Sequence, residues 1–408
     1  MNSRVVITGA GIVSAIGTGA ESFWHALAGG AGGVKPISRF EDTHPRCKMA
    51  AQVSGFDLGD HISYKGINLF SRSAQFVCGA GIIALKESEL DLSLVNRNEV
   101  GVALGTAFGS ASSMEAFDEE CQRDGERFVD PMRFPNTVAN SPAGCLSILT
   151  GAAGLNVTVS TGLSSGLAAL EYAASLLAQR RMRVMLAGGY DELSMSARSE
   201  MIRAGLLSGS REGDFERSAP FDRSRNGFFL GEGAGVLVLE RLEDALARDA
   251  HILAELAGFG ASYCLHSSRA VESQFRAMTG ALENGGLRAD DVDLVSASAS
   301  GSVEGDRRER LSIEELFGDR AYTLPVTAIK SLIGECGGAS GAIQLIAATL
   351  SMRYNALTPT ISFIAGDDDC LLRNIVSTEQ AADCGVVLVN SFNGVHNNSS
   401  AVVKKFSY

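Results

Sequence analysis

Residues 220–239 read PFDRSRNGFFLGEGAGVLVL, and no other stretch of the sequence says as much about the fold. The end of the stretch, residues 235–239, is an unbroken apolar run, which is typical of a strand covered on both faces. The glycines at 231, 233 and 235 could suggest a phosphate loop, but the Lys-Ser or Lys-Thr pair that would follow it is absent. Because glycine adopts backbone conformations closed to other residues, the pattern predicts a tight turn between buried strands.

Strand-like and helix-like segments alternate on both sides of this stretch. Predicted strands cover residues 4–8, 100–104, 156–160, 183–187, 235–239, 292–297, 325–328, 386–390 and 401–405, and predicted helices cover residues 21–27, 76–86, 165–179, 306–316 and 339–352. Such alternation predicts an α/β protein with parallel sheets and right-handed crossovers. Because the two halves repeat one order of elements, we expect a duplicated unit with its join near residues 240–253. The two halves, 1–245 and 246–408, should share one body.

Composition and charge exclude several classes of protein. The 408 residues carry a formal net charge of −12, and the basic clusters are short, such as the one at residues 180–183, which argues against nucleic-acid binding. The eight cysteines form no CxxC pair, so neither a zinc site nor a disulfide framework is expected. No apolar run is long enough for a bilayer and no signal peptide precedes the first strand, so we expect a cytoplasmic protein without membrane contact.

A glycine-rich turn near the N-terminus offers a weak cofactor signal. Gly9 and Gly11 match the first two glycines of a dinucleotide fingerprint, but Ser14 stands where the third belongs. No acidic residue is evident at the end of a second strand. We therefore expect no cofactor.

Short stretches across nearly the whole chain resemble, in the same order, the β-ketoacyl-acyl-carrier-protein synthases. The matching stretches are residues 6–17, 187–192, 220–222, 225–228 and 231–235, then Lys330, Ser331, Gly334 and Gly341, and finally residues 390–392 with Asn398. This resemblance implies the thiolase-like fold, in which duplicated βαβ halves form a five-layered α-β-α-β-α body.

The resemblance also implies where the catalytic groups should lie. A condensing enzyme of this family uses a cysteine thiolate at a helix N-terminus to take an acyl chain from its carrier. The matching segment, residues 160–166, reads STGLSSG and places Leu163 at the cysteine position. Because an alkyl side chain cannot attack a thioester, we expect no acyl transfer at this position.

The two histidines that stabilise the enolate in this family are also replaced. The first matching position holds Ser298 and the second holds Glu335, a carboxylate that would oppose enolate formation. The supporting residues Lys330 and Asp306 are kept, whereas the acidic helix residue that usually accompanies the lysine corresponds to Gln344. Three separate losses within an intact scaffold indicate a chain that no longer performs the reaction.

In this family the pattern resembles the chain length factors of type II polyketide synthases. Such a subunit is non-catalytic, forms a heterodimer with an active ketosynthase, and shapes the elongation channel for the polyketide or polyene chain carried on an acyl carrier protein. The usual chain length factor of aromatic systems has glutamine at the nucleophile position, and Leu163 departs from it. The loop at residues 393–397 departs from the glycine-rich run that frames the family's acyl gate.

The resemblance further assigns a dimer strand and a channel segment. The strand before the nucleophile position should pair across a two-fold axis; its residues are Asn156, Val157, Thr158, Val159 and Ser160. The helix after residues 102–105 should reach the shared channel through Ala111, Met114 and Phe117. For Met114 and Phe117 the alternative is that they fill the core.

Two other functions remain open at the level of sequence. An enzyme with a remodelled site could act on acyl thioesters through Ser298, Lys330, Glu335 or Cys336, although a buried free cysteine is usually inert. A homodimeric pseudoenzyme could bind acyl carriers without a synthase partner. None of the six histidines falls at a catalytic position; the nearest, His396, is interpreted as structural.

Overall fold

The computed structural model describes residues 4–40, 44–372, 374–393 and 396–407. The strands of the first half are β1 (Val5–Ser14), β2 (Gly17–Thr18), β3 (Val34–Pro36), β4 (Met49–Ala51), β5 (Val100–Gly105), β6 (Asn156–Val159), β7 (Val184–Asp191) and β8 (Gly233–Arg241). Its helices are α1 (Ala20–Ala28), α2 (Arg72–Ser88), α3 (Ala111–Asp124), α4 (Ser141–Thr150), α5 (Ser165–Ala178), α6 (Met195–Arg203) and α7 (Leu242–Ala247).

The second half contributes seven strands and four helices within the described residues. The strands are β9 (Ala254–Cys264), β10 (Leu294–Ser296), β11 (Val326–Thr327), β12 (Ala356–Leu357), β13 (Gln380–Ala381), β14 (Val386–Phe392) and β15 (His396–Lys404). The helices are α8 (Ala270–Asn284), α9 (Val303–Phe317), α10 (Lys330–Ile333) and α11 (Ala339–Tyr354). The sequence patterns missed β9 and α8.

The main sheet repeats one strand order in the two halves of the chain. Within the described residues its order is β11-β10-β14-β15-β9-β1-β8-β7-β5-β6. Counted outward from the β9–β1 contact, each half has two antiparallel pairings followed by two parallel ones. This repetition confirms the predicted duplicated α/β body. The boundary at residue 245 stays a prediction.

The prediction of parallel sheets is wrong for two of the four strand pairings in each half, because one strand of each half, β8 or β15, runs opposite to the other four. In the second half, β9 and β15 run antiparallel to each other, and β15 runs antiparallel to β14. Only residues 393–395 separate β14 from β15, and so short a connection reverses the chain direction, whereas a parallel pair needs a longer crossover. The alternation of elements along the sequence does not carry this information.

Helices cover both faces of the sheet and also fill its interior. Helix α2 packs on β1 and β8, and its counterpart α8 packs on β9 and β15. Helices α5 and α11 lie between the two halves of the sheet and contact each other there. Residues 339–352 of α11 are buried on every side, as expected for a helix that is apolar around its whole circumference. The predicted five-layered arrangement is thereby confirmed.

The predicted turn at residues 9–17 is instead the continuation of β1 as far as Ser14. Gly9 and Gly11 are required there because α2 lies directly against the strand. A Cβ atom on Gly9 would be 2.1 Å from the Ala84 carbonyl oxygen, and one on Gly11 would be 1.8 Å from that of Ala80. The glycines therefore allow close contact between helix and sheet.

None of the helices in the described part of the chain is long and apolar enough to span a membrane.

Candidate functional site

A cavity of about 680 Å³ is lined by residues of both halves. It brings together Leu163, Ser298, Asp306 and Glu335, four of the positions singled out from the sequence. Between the first and the last of these lie more than 170 residues of chain, so only the duplicated fold makes them neighbours. Within the described ranges no cluster of histidine, cysteine and carboxylate side chains is arranged to hold a metal ion.

Leu163 lies two residues before the start of α5. The turn that carries it is fixed by Ser165, whose hydroxyl accepts a hydrogen bond from the Thr161 amide at 2.8 Å and lies 3.0 Å from the Thr106 carbonyl oxygen at the end of β5. The side chain of Leu163 lines the cavity. The position therefore has the setting of a nucleophile at a helix N-terminus, but an aliphatic group instead of one.

Glu335 and Lys330 form a buried ion pair beside Leu163. The Lys330 ammonium lies 2.7 Å from Glu335 Oε2, and the two side chains are 1% and 2% exposed. Lys330 also donates to the carbonyl oxygen of Ser298 at 2.9 Å and to its hydroxyl at 3.3 Å, and Ser340 donates to Glu335 Oε1 at 2.6 Å. All three ammonium protons therefore have acceptors within the protein.

The backbone of Glu335 is held by the glycine-rich segment at residues 220–239. The Glu335 amide donates to the Phe229 carbonyl at 2.7 Å, and the Gly231 amide donates to the Glu335 carbonyl at 2.9 Å. A Cβ atom on Gly231 would lie 2.2 Å from the Ile333 carbonyl oxygen, so glycine is needed for this close approach. The glycine-rich segment thus positions the loop that carries Glu335.

Ser298, at the position that matches the family's first histidine, is hydrogen bonded on several sides. Its hydroxyl accepts from the Phe392 amide at 2.9 Å, and its own amide donates to Glu309 Oε1 at 2.8 Å. Glu309 also accepts from the Asn390 side-chain amide at 3.0 Å. The serine is therefore part of a polar network, with its hydroxyl at the cavity wall.

Two buried carboxylates, Asp306 and Glu309, lie behind this network on α9. Asp306 accepts hydrogen bonds from the amides of Phe221, Ser300 and Gly301 at 2.9–3.1 Å. It therefore connects the loop after β10 to the start of the segment at residues 220–239. Burial raises the pKa of Asp306 to about 6 and the pKa of Glu309 to about 7, although the hydrogen bonds they accept favour the charged forms.

Family models match both halves of the chain. The model for the N-terminal domain of β-ketoacyl synthases matches residues 2–245, and the model for the C-terminal domain matches residues 253–364. The chain belongs to the β-ketoacyl synthase family. The 3-oxoacyl-(acyl-carrier-protein) synthase 2 of Coxiella burnetii (strain RSA 493 / Nine Mile phase I) is 32% identical over 407 residues, covering 98% of each chain. The family and fold inferred from the motifs are therefore confirmed.

Solved structures of the β-ketoacyl synthase family superimpose on the whole chain. The ishigamide ketosynthase/chain length factor has a TM-score of 0.92 and 28% identity, with complete coverage of both chains. A type II PKS acyl-carrier protein in complex with its ketosynthase bound to the hexaketide has a TM-score of 0.89 and 26% identity, again with complete coverage. The chain is therefore similar to a ketosynthase/chain length factor and to a type II PKS ketosynthase complex, as well as to a 3-oxoacyl-(acyl-carrier-protein) synthase.

Gln344 and Cys336 both lie close to the ion pair in this β-ketoacyl synthase fold, but neither faces the cavity. The Gln344 amide donates to the carbonyls of Ala297 and Asn390 at 2.7 and 3.2 Å, so the partner of Lys330 is Glu335 and not the residue at position 344. Cys336 is fully buried, and its thiol lies 3.3 Å from the Ile333 carbonyl oxygen. Burial raises the pKa of this thiol well above its usual range.

The predicted channel residues do not line the cavity. Ala111, Met114 and Phe117 lie on α3, of which no residue is buried, so the alternative that Met114 and Phe117 fill the core is wrong for the single chain. Phe117 contacts Phe134 edge-on, with ring centroids 6.1 Å apart. Their role in a channel shared with a partner stays a prediction.

The predicted dimer strand lies at the open edge of the sheet. It forms β6, which pairs in parallel with β5 through Asn156, Val157, Thr158 and Val159. Ser160 follows the strand and is exposed. Within the described residues no further strand covers the outer side of β6.

The loop that departs from the family's acyl gate is only partly described. Gly394 and Val395 lie outside the described residues, whereas Asn393 and His396 line the cavity. His396 is 3.3 Å from the Tyr263 hydroxyl. Among the described residues, no hydrogen bond joins His396 to Ser298 or Leu163, and its structural interpretation stays a prediction.

Glu309 and the contacts of Asn393 were not predicted from the sequence. Glu309 lies three residues after Asp306 on one helix, so the two share a face, and that spacing could have identified it. No comparable signal exists for Asn393, because its partners lie more than 220 residues away in the chain.

The pKa of Glu309 predicts a pH dependence of stability. Its value is about 7 in the folded chain against 4.5 for the free side chain, so between these values the folded state holds a proton that the unfolded state has released. From pH 5 to pH 7 this group should lower the free energy of unfolding by up to about 1.4 kcal/mol per pH unit. In Glu309→Gln this contribution should disappear.

Urea unfolding of both proteins at pH 5, 6, 7 and 8 measures that difference. Glu304→Gln, at an exposed position on the same helix, is the matched control and should keep the slope of the unchanged protein. Equal slopes for Glu309→Gln and the unchanged protein would contradict the prediction.

Proposed function

We propose that this chain is a chain length factor, the non-catalytic subunit that pairs with an active ketosynthase in a type II polyketide synthase. The observation that carries the proposal is the combination of an alkyl side chain at position 163 with a sealed Lys330–Glu335 ion pair in place of an imidazole. Among the described residues that line the cavity there is no cysteine, so no thiol lies beside a base there. The similarity to the ishigamide ketosynthase/chain length factor supports the same assignment.

The names of the curated relatives indicate active synthases and not non-catalytic subunits. They are 3-oxoacyl-(acyl-carrier-protein) synthases, and their identity of about one third covers the complete chain. Overall identity of this size reflects the fold, whereas catalysis depends on a few side chains. Because those side chains are replaced at three positions here, we give the site more weight than the name.

The surface around β6 supports a partner subunit. Exposed apolar residues lie on or next to α3, the 3₁₀ helix Pro131–Thr137 and α4. The 3₁₀ helix packs on both α3 and α4, and α4 packs on β6; the residues are Met114, Phe128, Met132, Phe134, Val138 and Ile148. Exposed apolar side chains in such numbers are typical of a surface that another protein covers. We refer to these six residues together with β6 as the edge surface.

The occupant that we assign to the edge surface is the active ketosynthase. The open strand edge offers backbone hydrogen bonds, and the apolar residues beside it supply the desolvated contacts of an obligate interface. Met114 belongs to the edge surface, and Phe117 contacts Phe134, which also belongs to it. A partner that covers the edge surface would therefore lie beside the helix that carries Ala111, Met114 and Phe117, the predicted channel residues. The complex would then bind the acyl carrier protein and elongate the chain that it carries.

The decisive experiment is co-expression with the ketosynthase encoded nearest to this chain. Native mass spectrometry should show a one-to-one complex, and carrier-dependent elongation should require both chains. Leu163→Ala should leave elongation unchanged because position 163 takes no part in the chemistry. Elongation by this chain alone, or its loss in Leu163→Ala, would contradict the proposal.

Substitutions on the edge surface test where the partner binds. Phe134→Asp places an unpaired charge in the proposed interface and should weaken pairing by about 30-fold or more, as expected for a residue worth 2 kcal/mol. Phe134 is 59% exposed in the single chain, so folding should be unaffected. Leu94→Asp, at a more exposed leucine outside the edge surface, is the control and should pair normally.

A second candidate function rests on the contact between Ser298 and Lys330. A serine hydroxyl 3.3 Å from a lysine nitrogen at a cavity wall resembles the nucleophile–base pair of some hydrolases. Against it, the lysine donates all its protons, one of them to Glu335, and therefore cannot act as the base. Hydrolysis of acyl thioesters by the purified chain, lost in Ser298→Ala, would establish this alternative.

A further inference from the structure

The side chain of Asn393 is bound to the backbone at the nucleophile position. Its carbonyl oxygen Oδ1 accepts a hydrogen bond from the Leu163 amide at 2.5 Å, and its Nδ2 donates to the Thr161 carbonyl at 2.7 Å. The residue follows β14 directly and lines the cavity. A carboxamide therefore spans the turn that precedes α5.

The surrounding residues hold this contact in place. The Ser391 hydroxyl donates to the Leu163 carbonyl at 3.0 Å, so both backbone groups of Leu163 are bound by one three-residue segment. Gly162 has a φ of +75°, and a Cβ atom there would lie 2.8 Å from Asn393 Nδ2. The glycine thus leaves the space that the carboxamide occupies.

The amide that Asn393 binds is the one that acyl transfer would need. When a nucleophile at position 163 attacks a thioester, negative charge develops on the carbonyl oxygen, and a backbone N–H at the helix entrance is the donor suited to stabilise it. Asn393 Oδ1 is itself a carbonyl oxygen, placed at hydrogen-bond distance from that N–H. It lies where the oxygen of a bound thioester would have to lie.

We infer that Asn393 is an internal occupant of the carbonyl-oxygen site and blocks acyl transfer independently of the missing thiol. The inference deepens the proposed non-catalytic role and rests on it, since a working synthase could not keep this amide occupied. Restoring a thiol at position 163 would therefore not restore acylation. Both the nucleophile and the free amide are needed.

The reaction that tests the inference is transfer of an octanoyl group from coenzyme A. In Leu163→Cys, the introduced thiolate would attack the carbonyl carbon, and the electron pair of the C=O bond would move onto oxygen. The intermediate then collapses, the bond from carbon to the coenzyme A sulfur breaks, and the released thiolate takes a proton from water. A covalent octanoyl thioester on the protein is the product.

Intact-protein mass spectrometry measures the rate of octanoyl transfer at pH 9, where thiols are ionised. Leu163→Cys/Asn393→Gly should be acylated about 100- to 1,000-fold faster than Leu163→Cys, the range expected for gaining one oxyanion donor. Leu163→Cys/Asn393→Ala should behave like the glycine variant, which guards against a folding defect in either. Asn393→Gly alone should take up no octanoyl group.

Alkylation by iodoacetamide separates this mechanism from simple shielding. That reaction displaces iodide at a saturated carbon and needs no oxyanion donor, so Leu163→Cys with and without Asn393 should react at similar rates. If both reactions accelerate equally on removing Asn393, or if Leu163→Cys is acylated as fast as the double variants, the inference is wrong. The proposed function fails separately, if elongation by the complex does not require this chain.

Discussion

Replacing Glu335 by alanine is expected to lower the free energy of unfolding by about 3 to 5 kcal/mol, the usual cost of removing one partner from a buried ion pair. The Lys330 ammonium, 1% exposed, would still donate hydrogen bonds to Ser298 but would lose its ion-pair partner. Urea unfolding followed by the fluorescence of Trp24 measures the loss. This tryptophan stacks on Tyr354 at the end of α11.

The double variant Lys330→Met/Glu335→Leu separates charge from packing. Because both charges are removed together, no unpaired ion remains, and its stability should return to within about 1 kcal/mol of the unchanged protein, or exceed it. Lys330→Met alone should cost as much as Glu335→Ala. A double variant no more stable than the single ones would show that packing, not charge pairing, dominates at this site.

The stability of this double variant indicates why a carboxylate stands beside Lys330. In the family resemblance the lysine is accompanied by an acidic residue on the helix that here carries Gln344, and the structure provides the missing carboxylate from position 335 instead. A buried lysine needs a counter-charge wherever it comes from. We therefore interpret Glu335 as a replacement that both removes the imidazole and keeps Lys330 compatible with the core.

Replacing Glu232 by alanine is expected to have the second large effect, again about 3 to 5 kcal/mol. This carboxylate is fully buried and accepts hydrogen bonds from the Arg39 and Arg72 guanidinium groups and from the amides of Val53 and Leu193. Its loss would leave two amides without this acceptor and Arg72 without its ion-pair partner, whereas Arg39 would keep its ion pair with Glu192 at 3.3 Å. Urea unfolding again provides the measurement.

A matched control distinguishes this network from surface ion pairs. Glu272→Ala removes an exposed pair with Arg269 and should change stability by less than about 1 kcal/mol. Glu232→Gln keeps one acceptor and should lie between the alanine variant and the unchanged protein. If Glu232→Ala and Glu272→Ala have equal effects, the network does not stabilise the fold.

The candidate site was predictable in part. The positions of Leu163, Ser298 and Glu335 followed from motifs, because short glycine-containing stretches fix the register of each catalytic position locally. The partners of those residues did not follow, since the contacts of Lys330 with Ser298 and of Leu163 with Asn393 join segments 32 and 230 residues apart. The sequence also could not show that no residue of α3 is buried, because apolar side chains such as Met114 and Phe117 are usually found in a core.

What the sequence by itself determined is the family and the duplicated α/β order; it also predicts that Leu163, Ser298 and Glu335 stand at the nucleophile and imidazole positions. These properties reside in local patterns of glycine, apolar residues and single replaced side chains. Only the tertiary structure decided that the carboxylate of Glu335 neutralises Lys330, that Asn393 binds the Leu163 amide, and that two strand pairings within each half are antiparallel. The physical reason is that hydrogen bonds, charge pairing and strand direction depend on which distant segments come into contact. Burial makes these contacts necessary, because a buried polar or charged group without a partner is destabilising.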